Sequence, residues 1–271
     1  MNDAAWLEVF HRIGERVSEA VSPLLGTEAG RVELGRGAGG DRTVALDERA
    51  EDVALAELRG LAAGDGERFS VLSEEAGGID LGAPYPVVFV DPVDGSVNAK
   101  RGVPVAGVML SLLDGPTLDD VRIGVVHNLY SGERWHAVRD AGLHRQGTRV
   151  TPYVPDRPRI EVVGIESSPR NLPPALPLAM QASKVRLLGS IAISLAAAAA
   201  GAMDVFCSAM PARAFDMTAG ILMLREVGGI ATDFEGRPLG AVEAGLEDRT
   251  TLLCAASPDM HDRALASLHG V

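Results

Sequence analysis

The chain has 271 residues, 46% of them hydrophobic, and carries a formal net charge of −12 at neutral pH. This length and apolar content allow one large core or two fused halves, and they exclude general disorder. The excess of acidic residues argues against nucleic acid as a partner, because binding a polyphosphate backbone needs a basic surface. An acidic protein can still bind a phosphate ester when metal cations bridge its carboxylates to the ester.

The sequence gives no sign of a secretory signal or of a membrane-spanning segment. No basic stretch followed by an apolar core occurs near the N-terminus. The longest weakly polar run, residues 191–203, is shorter than the ~20 residues that a spanning helix needs. We therefore expect a cytoplasmic protein with no membrane partner. The two cysteines, Cys207 and Cys254, lack metal-ligand spacing and are expected to be buried thiols.

Helices and strands are both predicted in the first 150 residues. Apolar residues at helical spacing predict helices over residues 4–25 and 47–61, and the glycine-rich residues 35–40 between them predict a loop. Short apolar runs predict strands over residues 71–73, 86–90, 105–113, 121–129, 133–139 and 142–145.

The proline-rich run of residues 151–158 predicts a boundary between two halves, 1–150 and 151–271, of one compact unit. In the second half we predict strands over residues 160–165, 204–206 and 251–255, and helices over residues 190–202 and 216–227 and at the C-terminus. Ser190 is the expected cap of the first of these helices, and Gly228 closes the second. Strands and helices mix without strict alternation, which favours a layered α/β (α+β) sandwich over a doubly wound sheet.

The segment DPVDGS (residues 91–96) has the clearest chemical character. It directly follows a predicted buried strand, which Pro92 is expected to end. Asp91 and Asp94 can then point into one small volume, with the carbonyl of Val93 exposed beside them. Magnesium prefers this set of oxygen ligands, at ~2.0–2.1 Å.

The same segment also offers groups that suit a phosphate. Gly95 allows the backbone to approach a ligand closely, and the amides of Gly95 and Ser96 would donate to a phosphate if they open a helix. An ordinary polar turn has a similar composition, because Asp, Pro and Gly all favour turns.

Further acidic residues lie in three separate segments. Glu74 and Glu75 follow a predicted strand, although exposed pairs of this kind are common. Asp216 is the first residue of the predicted helix 216–227, which begins with small residues, and Asp47 is the first residue of the predicted helix 47–61. A helix cap alone would explain either aspartate.

Together these segments resemble the inositol monophosphatase family, and most closely its archaeal-type enzymes that hydrolyse both inositol monophosphate and fructose 1,6-bisphosphate. They occur in the family's order and spacing and cover nearly the whole chain. The matching segments are DERAED (47–52), SEE (73–75), DPVDGSVNAKRGVP (91–104), GSIA (189–192), FDMTAG (215–220) and EVGG (226–229).

The resemblance implies a metal-dependent phosphatase with two or three Mg²⁺ ions per active site. The metal ligands it implies are the carboxylates of Glu74, Asp91, Asp94 and Asp216 and the carbonyl of Val93. The catalytic residues it implies are Asp47, Ser96 and Glu74. Asp47 and the hydroxyl of Ser96 would be hydrogen-bonded to each other and would orient the attacking water.

The resemblance also implies which residues contact the substrate, namely Gly95, Ser96, Ser190, Arg186 and Arg213. The two arginines match arginines of the archaeal-type enzymes and could hold a second phosphate through bidentate contacts, away from the phosphate that is cleaved. A surface arginine explains each of them equally well.

Three positions depart from the family pattern. Ser96 replaces the usual Thr but keeps the hydroxyl, and Phe215 replaces the usual Trp. Near Ala209 the chain lacks the acid that binds ring hydroxyls in inositol-preferring members, which argues against inositol phosphate as the only substrate.

We therefore expect a layered αβαβα sandwich. The expected partners are a small sugar or polyol phosphate and a second copy of the chain in a homodimer. Two alternatives stay open. One is a nucleotidase for 3′-phosphoadenosine 5′-phosphate, whose branch shares the aspartate motifs. The other is a catalytically inactive relative that binds a phosphorylated metabolite. Release of phosphate from a substrate panel with magnesium discriminates among the three.

Overall fold

The computed structural model describes residues 1–40, 42–64, 66–151 and 159–270. The α-helices in these residues are α1 (Asp3–Val21), α2 (Ala45–Ala62), α3 (Ser96–Arg101), α4 (Leu176–Gln181), α5 (Ile191–Ala199), α6 (Thr218–Glu226) and α7 (Pro258–His269). The strands are β1 (Glu33–Arg36), β2 (Arg42–Val44), β3 (Phe69–Ser73), β4 (Gly77–Asp94), β5 (Gly107–Leu113), β6 (Val121–Asn128), β7 (Arg134–Val138), β8 (Gly142–Arg145), β9 (Thr148–Arg149), β10 (Val162–Glu166), β11 (Lys184–Arg186), β12 (Val205–Arg213), β13 (Ile230–Thr232) and β14 (Arg249–Ala255).

The strands form a hairpin, β1-β2, and two larger sheets. One sheet has seven strands in the order β3-β4-β5-β6-β7-β8-β9, and the other has five in the order β11-β10-β12-β14-β13. Helices α1 and α2 share a core with one face of the larger sheet. Helices α5 and α6 share a core with both sheets, and α4 and α7 share one with the far face of the smaller sheet. This order of layers is the predicted αβαβα sandwich, which is confirmed.

The middle core contains residues from both halves of the chain, such as Met109 of β5 and Phe206 of β12. Burial of apolar surface therefore joins the halves into one unit. The predicted boundary at residues 151–158 lies, apart from residue 151, outside the described residues, and its position stays a prediction.

The long strand β4 explains how the acidic segments come together. Its first part pairs with β3 in a tight turn, with Phe69 opposite Leu81 and Ser73 opposite Gly77. Its second part returns along the other side of β3, so that Ser73 also pairs with Val90. The ends of β3 and β4 consequently lie side by side, with Glu74 following one and Asp91 and Asp94 ending the other.

Helix periodicity in the sequence predicted the five longest helices, whereas the six-residue α4 was not predicted. In α1, Asn2 caps the first turn by accepting a hydrogen bond from the Ala5 amide, and the buried residues Phe10, Ile13 and Val17 form the expected apolar stripe. Helix α6 ends where Gly228 adopts a φ of 76°, as predicted. The Ala-rich helix α5 begins after Ser190 as predicted, but ends at Ala199 rather than near residue 202.

Several predicted bounds were wrong. Part of the glycine-rich loop predicted for residues 35–40 belongs to strand β1, and β1 pairs with β2 in a hairpin. The strand predicted for residues 86–90 is part of β4, which is 18 residues long and continues to Asp94 past a register shift between Asp91 and Asp94. The strand predicted for residues 204–206 is the nine-residue β12. Among the described helices, none has the length and apolar content needed to cross a membrane.

Candidate active site

Four buried carboxylates lie where strands of the two sheets end. Glu74 follows β3, Asp91 and Asp94 are at the end of β4, and Asp216 follows β12. Each is at most 8% exposed. Burial of acids at this density is costly unless cations or hydrogen bonds compensate the charge, which marks the region as a functional site.

The turn that carries Glu74 is held by a neighbouring helix. The carboxylate of Glu51 in α2 accepts hydrogen bonds from the hydroxyl of Ser73 and, at 2.8 Å, from the amide of Ala76. The amide of Glu74 itself donates to the Val90 carbonyl of β4 at 3.2 Å. These bonds fix the position at which the Glu74 side chain leaves the sheet.

The Asp91–Asp94 turn is fixed by its own residues. The Val93 amide donates to Asp91 Oδ1 at 3.1 Å, which closes a tight turn around Pro92. Gly95 has a φ of 91°, and a Cβ there would lie 3.0 Å from the Gly189 carbonyl oxygen. Only glycine fits this backbone conformation and this close approach.

Asp94 is anchored at the N-terminus of α5. Its Oδ2 accepts hydrogen bonds from the Ser190 hydroxyl and, at 2.9 Å, from the Ala192 amide, and its Oδ1 accepts one from the Ile191 amide at 3.2 Å. The first amides of a helix have no partner within the helix and favour an anion. Ser190, predicted to contact substrate, therefore positions Asp94 in this structure.

Asp216 lies on a short 3₁₀ turn (Ala214–Met217) just after β12. Its Oδ2 accepts a hydrogen bond from Arg213 Nε at 3.0 Å, and Arg213 Nη2 donates to Glu74 Oε1 at 2.6 Å. The guanidinium thus bridges Glu74 and Asp216. The other oxygen of Asp216, Oδ1, is buried and has no hydrogen-bond partner among the described residues.

The carboxylates repel one another strongly. Burial, followed by the charges of Glu74, Asp94 and Asp216, raises the pKa of Asp91 well above its usual range. Burial raises the pKa of Asp94 to about 6, although the bonds from α5 oppose the rise. Burial also raises the pKa of Asp216 to about 7, against the opposing charge of Arg213. A bound cation would relieve this repulsion.

Asp47 and Ser96 lie in the same region, and a side-chain hydrogen bond of Ser96 is one of the influences that lower the pKa of Asp47. The Ser96 hydroxyl donates to the Val93 carbonyl at 2.9 Å, whereas Asp47 Oδ2 accepts from the Val44 amide at 3.1 Å. Asp47 Oδ1 is buried with no hydrogen-bond partner among the described residues. Burial raises the pKa of Asp47 to about 6, an effect that the nearby Val44 amide, Lys100 and Ser96 only partly offset.

Glu74, Asp91 and Asp94 face a cavity of about 420 Å³, whereas Asp216, Asp47 and Ser190 are not among its lining residues. Its lining residues are Arg42, Glu74, Glu75, Asp91, Val93, Asp94, Gly95, Ser96, Val97, Lys100, Gly189 and Arg213. Most of the residues singled out from the sequence are thus brought to one place. The lining also includes residues to which the sequence assigned no role, above all Arg42 and Lys100. Lys100 belongs to the recognised run of residues 91–104, but Arg42 carried no signal that separated it from other surface arginines.

The two arginines expected to read a second phosphate are placed differently from the prediction. Arg186 is exposed on β11, donates to the neighbouring Val185 carbonyl, and is not among the residues that line the cavity. Arg213 lines it, but is 8% exposed and bonded to two of the four carboxylates rather than lying away from them. The charge of Glu74 and Asp216 attracts its guanidinium into the cluster.

The donor set suits hard cations, although its present arrangement is not a closed ligand cage. In the described part of the chain, no three His, Cys, Asp or Glu side chains are placed so that together they could hold a metal ion. Arg213 supplies positive charge between Glu74 and Asp216 instead. Carboxylate and carbonyl oxygens, an excess of negative charge and the unpartnered Oδ1 of Asp216 all fit magnesium, provided that Glu74 and Asp216 turn away from Arg213.

Comparison with known proteins gives a consistent result. A family model, the inositol monophosphatase family, matches residues 3–271. A Thermococcus kodakarensis protein named fructose-1,6-bisphosphatase/inositol-1-monophosphatase is 31% identical, over 97% of each chain. A bifunctional NADP phosphatase/NAD kinase of Methanococcus maripaludis is 25% identical, over 97% of this chain and 49% of its own length. A solved inositol monophosphatase–fructose 1,6-bisphosphatase superposes with a TM-score of 0.85 at 24% identity, over 97% of this chain and 99% of the other.

The solved structure shares the layered sandwich of this chain. The curated relatives that match it are named phosphatases, which places the protein among the phosphatases. Because the family model covers nearly its whole length, the chain belongs to the inositol monophosphatase family.

Proposed function

We propose that this protein is a magnesium-dependent phosphatase that cleaves the phosphomonoester of a small sugar or polyol, namely fructose 1,6-bisphosphate, inositol 1-phosphate or both. The observation that carries the proposal is the group of four buried, mutually repelling carboxylates, three of which line one cavity. Such a group has little use in a protein that binds no cation, because removing charge from water is costly. The family membership and the names of the relatives agree with it.

The residues that would hold Mg²⁺ are the side chains of Glu74, Asp91, Asp94 and Asp216 and the carbonyl of Val93. When bound, Mg²⁺ neutralises phosphate oxygens and lowers the pKa of water. The chain's own contribution is to hold these oxygens in place, and the bonds from α5 to Asp94 and from Glu51 to the Glu74 turn support that role. Two ions would balance the charge of the four carboxylates, and a third would balance that of a phosphate dianion.

Asp47 is the proposed proton acceptor for the attacking water, acting through the hydroxyl of Ser96. Its unpartnered Oδ1 supports the assignment, because a buried carboxylate oxygen without a donor is a strong acceptor. The side-chain hydrogen bond of Ser96 that lowers the pKa of Asp47 supports this role. Glu74 would assist by fixing the water's position.

We also propose a homodimer. Four large apolar side chains between residues 176 and 187 are exposed, and they belong to or flank α4 and the edge strand β11. They are Leu176, Met180, Val185 and Leu187. Clusters of exposed apolar side chains often mark contact surfaces. Light scattering should give twice the chain mass, and Met180→Lys with Leu187→Lys should give a monomer.

A substrate panel tests the proposed activity. Phosphate release should be fastest from fructose 1,6-bisphosphate or inositol 1-phosphate, and it should stop when a chelator removes magnesium. Preference for NADP or 3′-phosphoadenosine 5′-phosphate would favour the nucleotide phosphatase instead. A protein that binds these compounds without cleaving any of them would be the inactive relative.

A further inference from the structure

We propose that a second cleft, lined by strands β3 and β4 and by residues 243–248, binds a small organic cation that has an aromatic body. The cleft has a volume of about 500 Å³, which is within the range of sites for small molecules. It shares no lining residue with the cavity that Glu74, Asp91 and Asp94 face. The inference is therefore independent of the proposed function.

One wall of the cleft is an apolar part of the larger sheet. Leu72 of β3 and Val87 and Phe89 of β4 line it, and all three belong to the middle core or pack against it. Leu72 and Val87 are only partly buried, and Tyr85, which also lines the cleft, is 42% exposed. An aromatic ligand can therefore bury its ring against apolar and aromatic side chains here.

Small residues leave the space that the cleft needs. Gly78 lies in β4, and a Cβ added there would meet no atom of the described residues within 4 Å, its chain neighbours aside. Ala244 and Gly245 contribute little side-chain volume on the other side, and neither does Gly115 after β5. Larger side chains at these positions would fill the cleft, because protein interiors pack closely.

The polar groups of the cleft favour a cation. Three of its lining residues are acidic, Asp80, Glu243 and Asp248, and among the described residues that line it none is basic. Within the described chain, no basic side chain lies within ion-pair distance of these three carboxylates. A Cβ added at Gly245 would collide with Oδ2 of Asp248, so this carboxylate lies against the backbone of the cleft wall. A ligand ammonium group would supply the counter-charge, and Tyr85 could add a cation–π contact.

Calorimetry with three indole compounds tests the preference for charge. Tryptamine carries an ammonium group, tryptophol a hydroxyl and indole-3-propionate a carboxylate. At neutral pH with magnesium present, tryptamine should bind at least about tenfold more tightly than tryptophol, because hydrogen bonds to charged groups are the stronger ones. Indole-3-propionate should show no saturable binding. Equal Kd values for tryptamine and tryptophol, or no saturable binding of tryptamine at about 10 mM, would overturn the proposal.

Three variants test where tryptamine binds. Gly78→Leu fills the cleft and keeps every carboxylate, and it should weaken tryptamine binding at least about tenfold because the indole loses its apolar contact. The backbone of Gly78 is outside the left-handed region, so a leucine is compatible with the fold. Asp248→Asn should weaken binding about fivefold or more. Glu247→Gln is the matched control, because Glu247 precedes Asp248 but does not line the cleft, and it should leave the Kd within about twofold.

Two results with these variants would overturn the proposal. An unchanged Kd in either Gly78→Leu or Asp248→Asn would show that tryptamine binds elsewhere, such as at the active-site carboxylates. An equal loss in Glu247→Gln and Asp248→Asn would show general attraction to an acidic surface. None of these measurements requires turnover, so they remain decisive if the protein cleaves no phosphate ester.

Discussion

Three hydrogen-bonded imidazoles between α1 and the larger sheet make the stability of this protein sensitive to acid. His11 of α1 joins His127 of β6 at 2.9 Å through its Nδ1 and His136 of β7 at 3.1 Å through its Nε2. Each such bond needs one protonated and one unprotonated nitrogen, so three neutral rings satisfy both bonds. We call His11, His127 and His136 the histidine network. Both nitrogens of His11 are used by its neighbours, which is the arrangement of a hydrogen-bond chain and not of a metal chelate.

The charges around the histidine network oppose its protonation. Burial, followed by the charges of His11, Arg134 and His136, lowers the pKa of His127 to about 3. Burial likewise lowers the pKa of His136 to about 4, with His11, His144 and Arg134 adding to the effect. Glu15, which pairs with Arg134, is the acidic residue that opposes this trend at His11. Glu8 and Arg12 of α1 line the adjoining surface pocket.

The direction and size of the effect follow from linkage. Because the pKa of His127 is lower in the folded state than its ordinary 6.5, its contribution to stability is complete above pH 6.5 and is lost as the pH falls toward 3. A pH of 5 is about 1.5 units below the ordinary pKa of histidine, so in the unfolded chain His127 is protonated there, and each unit corresponds to about 1.4 kcal/mol. Between pH 7 and pH 5, His127 alone should therefore lower the free energy of unfolding by about 2 kcal/mol. His136 is more exposed, and solvent screening reduces its share.

Urea unfolding at pH 7 and pH 5 measures this cost. In His127→Gln the decrease in unfolding free energy between the two pH values should be about 2 kcal/mol smaller than in the wild type. The active-site carboxylates titrate in the opposite direction, but they are the same in both proteins and cancel in the difference. His269→Gln, at the exposed end of α7, is the control and should match the wild type. An equal pH dependence in His127→Gln and the wild type would refute the reasoning.

Three further predictions concern the carboxylate cluster and the core. Asp91→Asn should lower the rate of phosphate release by orders of magnitude, while the melting temperature of the metal-free protein stays the same or rises because repulsion is relieved; retention of more than about a tenth of the rate in saturating magnesium would contradict the ligand assignment. In Ser190→Ala, Asp94 loses one of its three hydrogen-bond donors. The variant should lower kcat/KM about tenfold and raise the half-saturating magnesium concentration. Unchanged magnesium dependence would show that Ser190 does not act through Asp94. Gly124→Ala should lower the free energy of unfolding in urea by about 1–3 kcal/mol, because the new Cβ would lie 2.7 Å from the Cα of Ala219 in the facing helix α6. A variant as stable as the wild type would show that α6 can move to make room for the Cβ.

The sequence predicts those parts of the fold that depend on local periodicity and on residue pairs close in the chain. The apolar stripe of α1 and the glycine that ends α6 are of this kind, and both predictions are confirmed. The mixture of strands and helices favoured a layered sandwich, and the αβαβα order of its layers was predicted through the family resemblance. The hairpin β1-β2 and the exposed edge strand β11 were missed. Their strands have little apolar pattern of their own and are stabilised by backbone pairing, between β1 and β2 and between β11 and β10.

For the site, the motifs predicted which carboxylates would meet, but not how their side chains would be satisfied. Asp94 is held by the N-terminus of α5, and Arg213 bridges two acids, because both arrangements depend on segments far apart in the chain. The same reason explains why Lys100 faces the cavity while Arg186 does not. Single cationic residues carry no periodic signal, so their direction is fixed only by tertiary structure.

Titration of magnesium into the chelated protein tests the central claim most directly, with phosphate release from fructose 1,6-bisphosphate and inositol 1-phosphate as the readout. The account predicts no measurable release without metal, saturable activation by magnesium in the wild type, and activation lowered by orders of magnitude in Asp216→Asn. Full activity in excess chelator, or equal activation of the wild type and Asp216→Asn, would contradict the proposal that these carboxylates hold the catalytic cations.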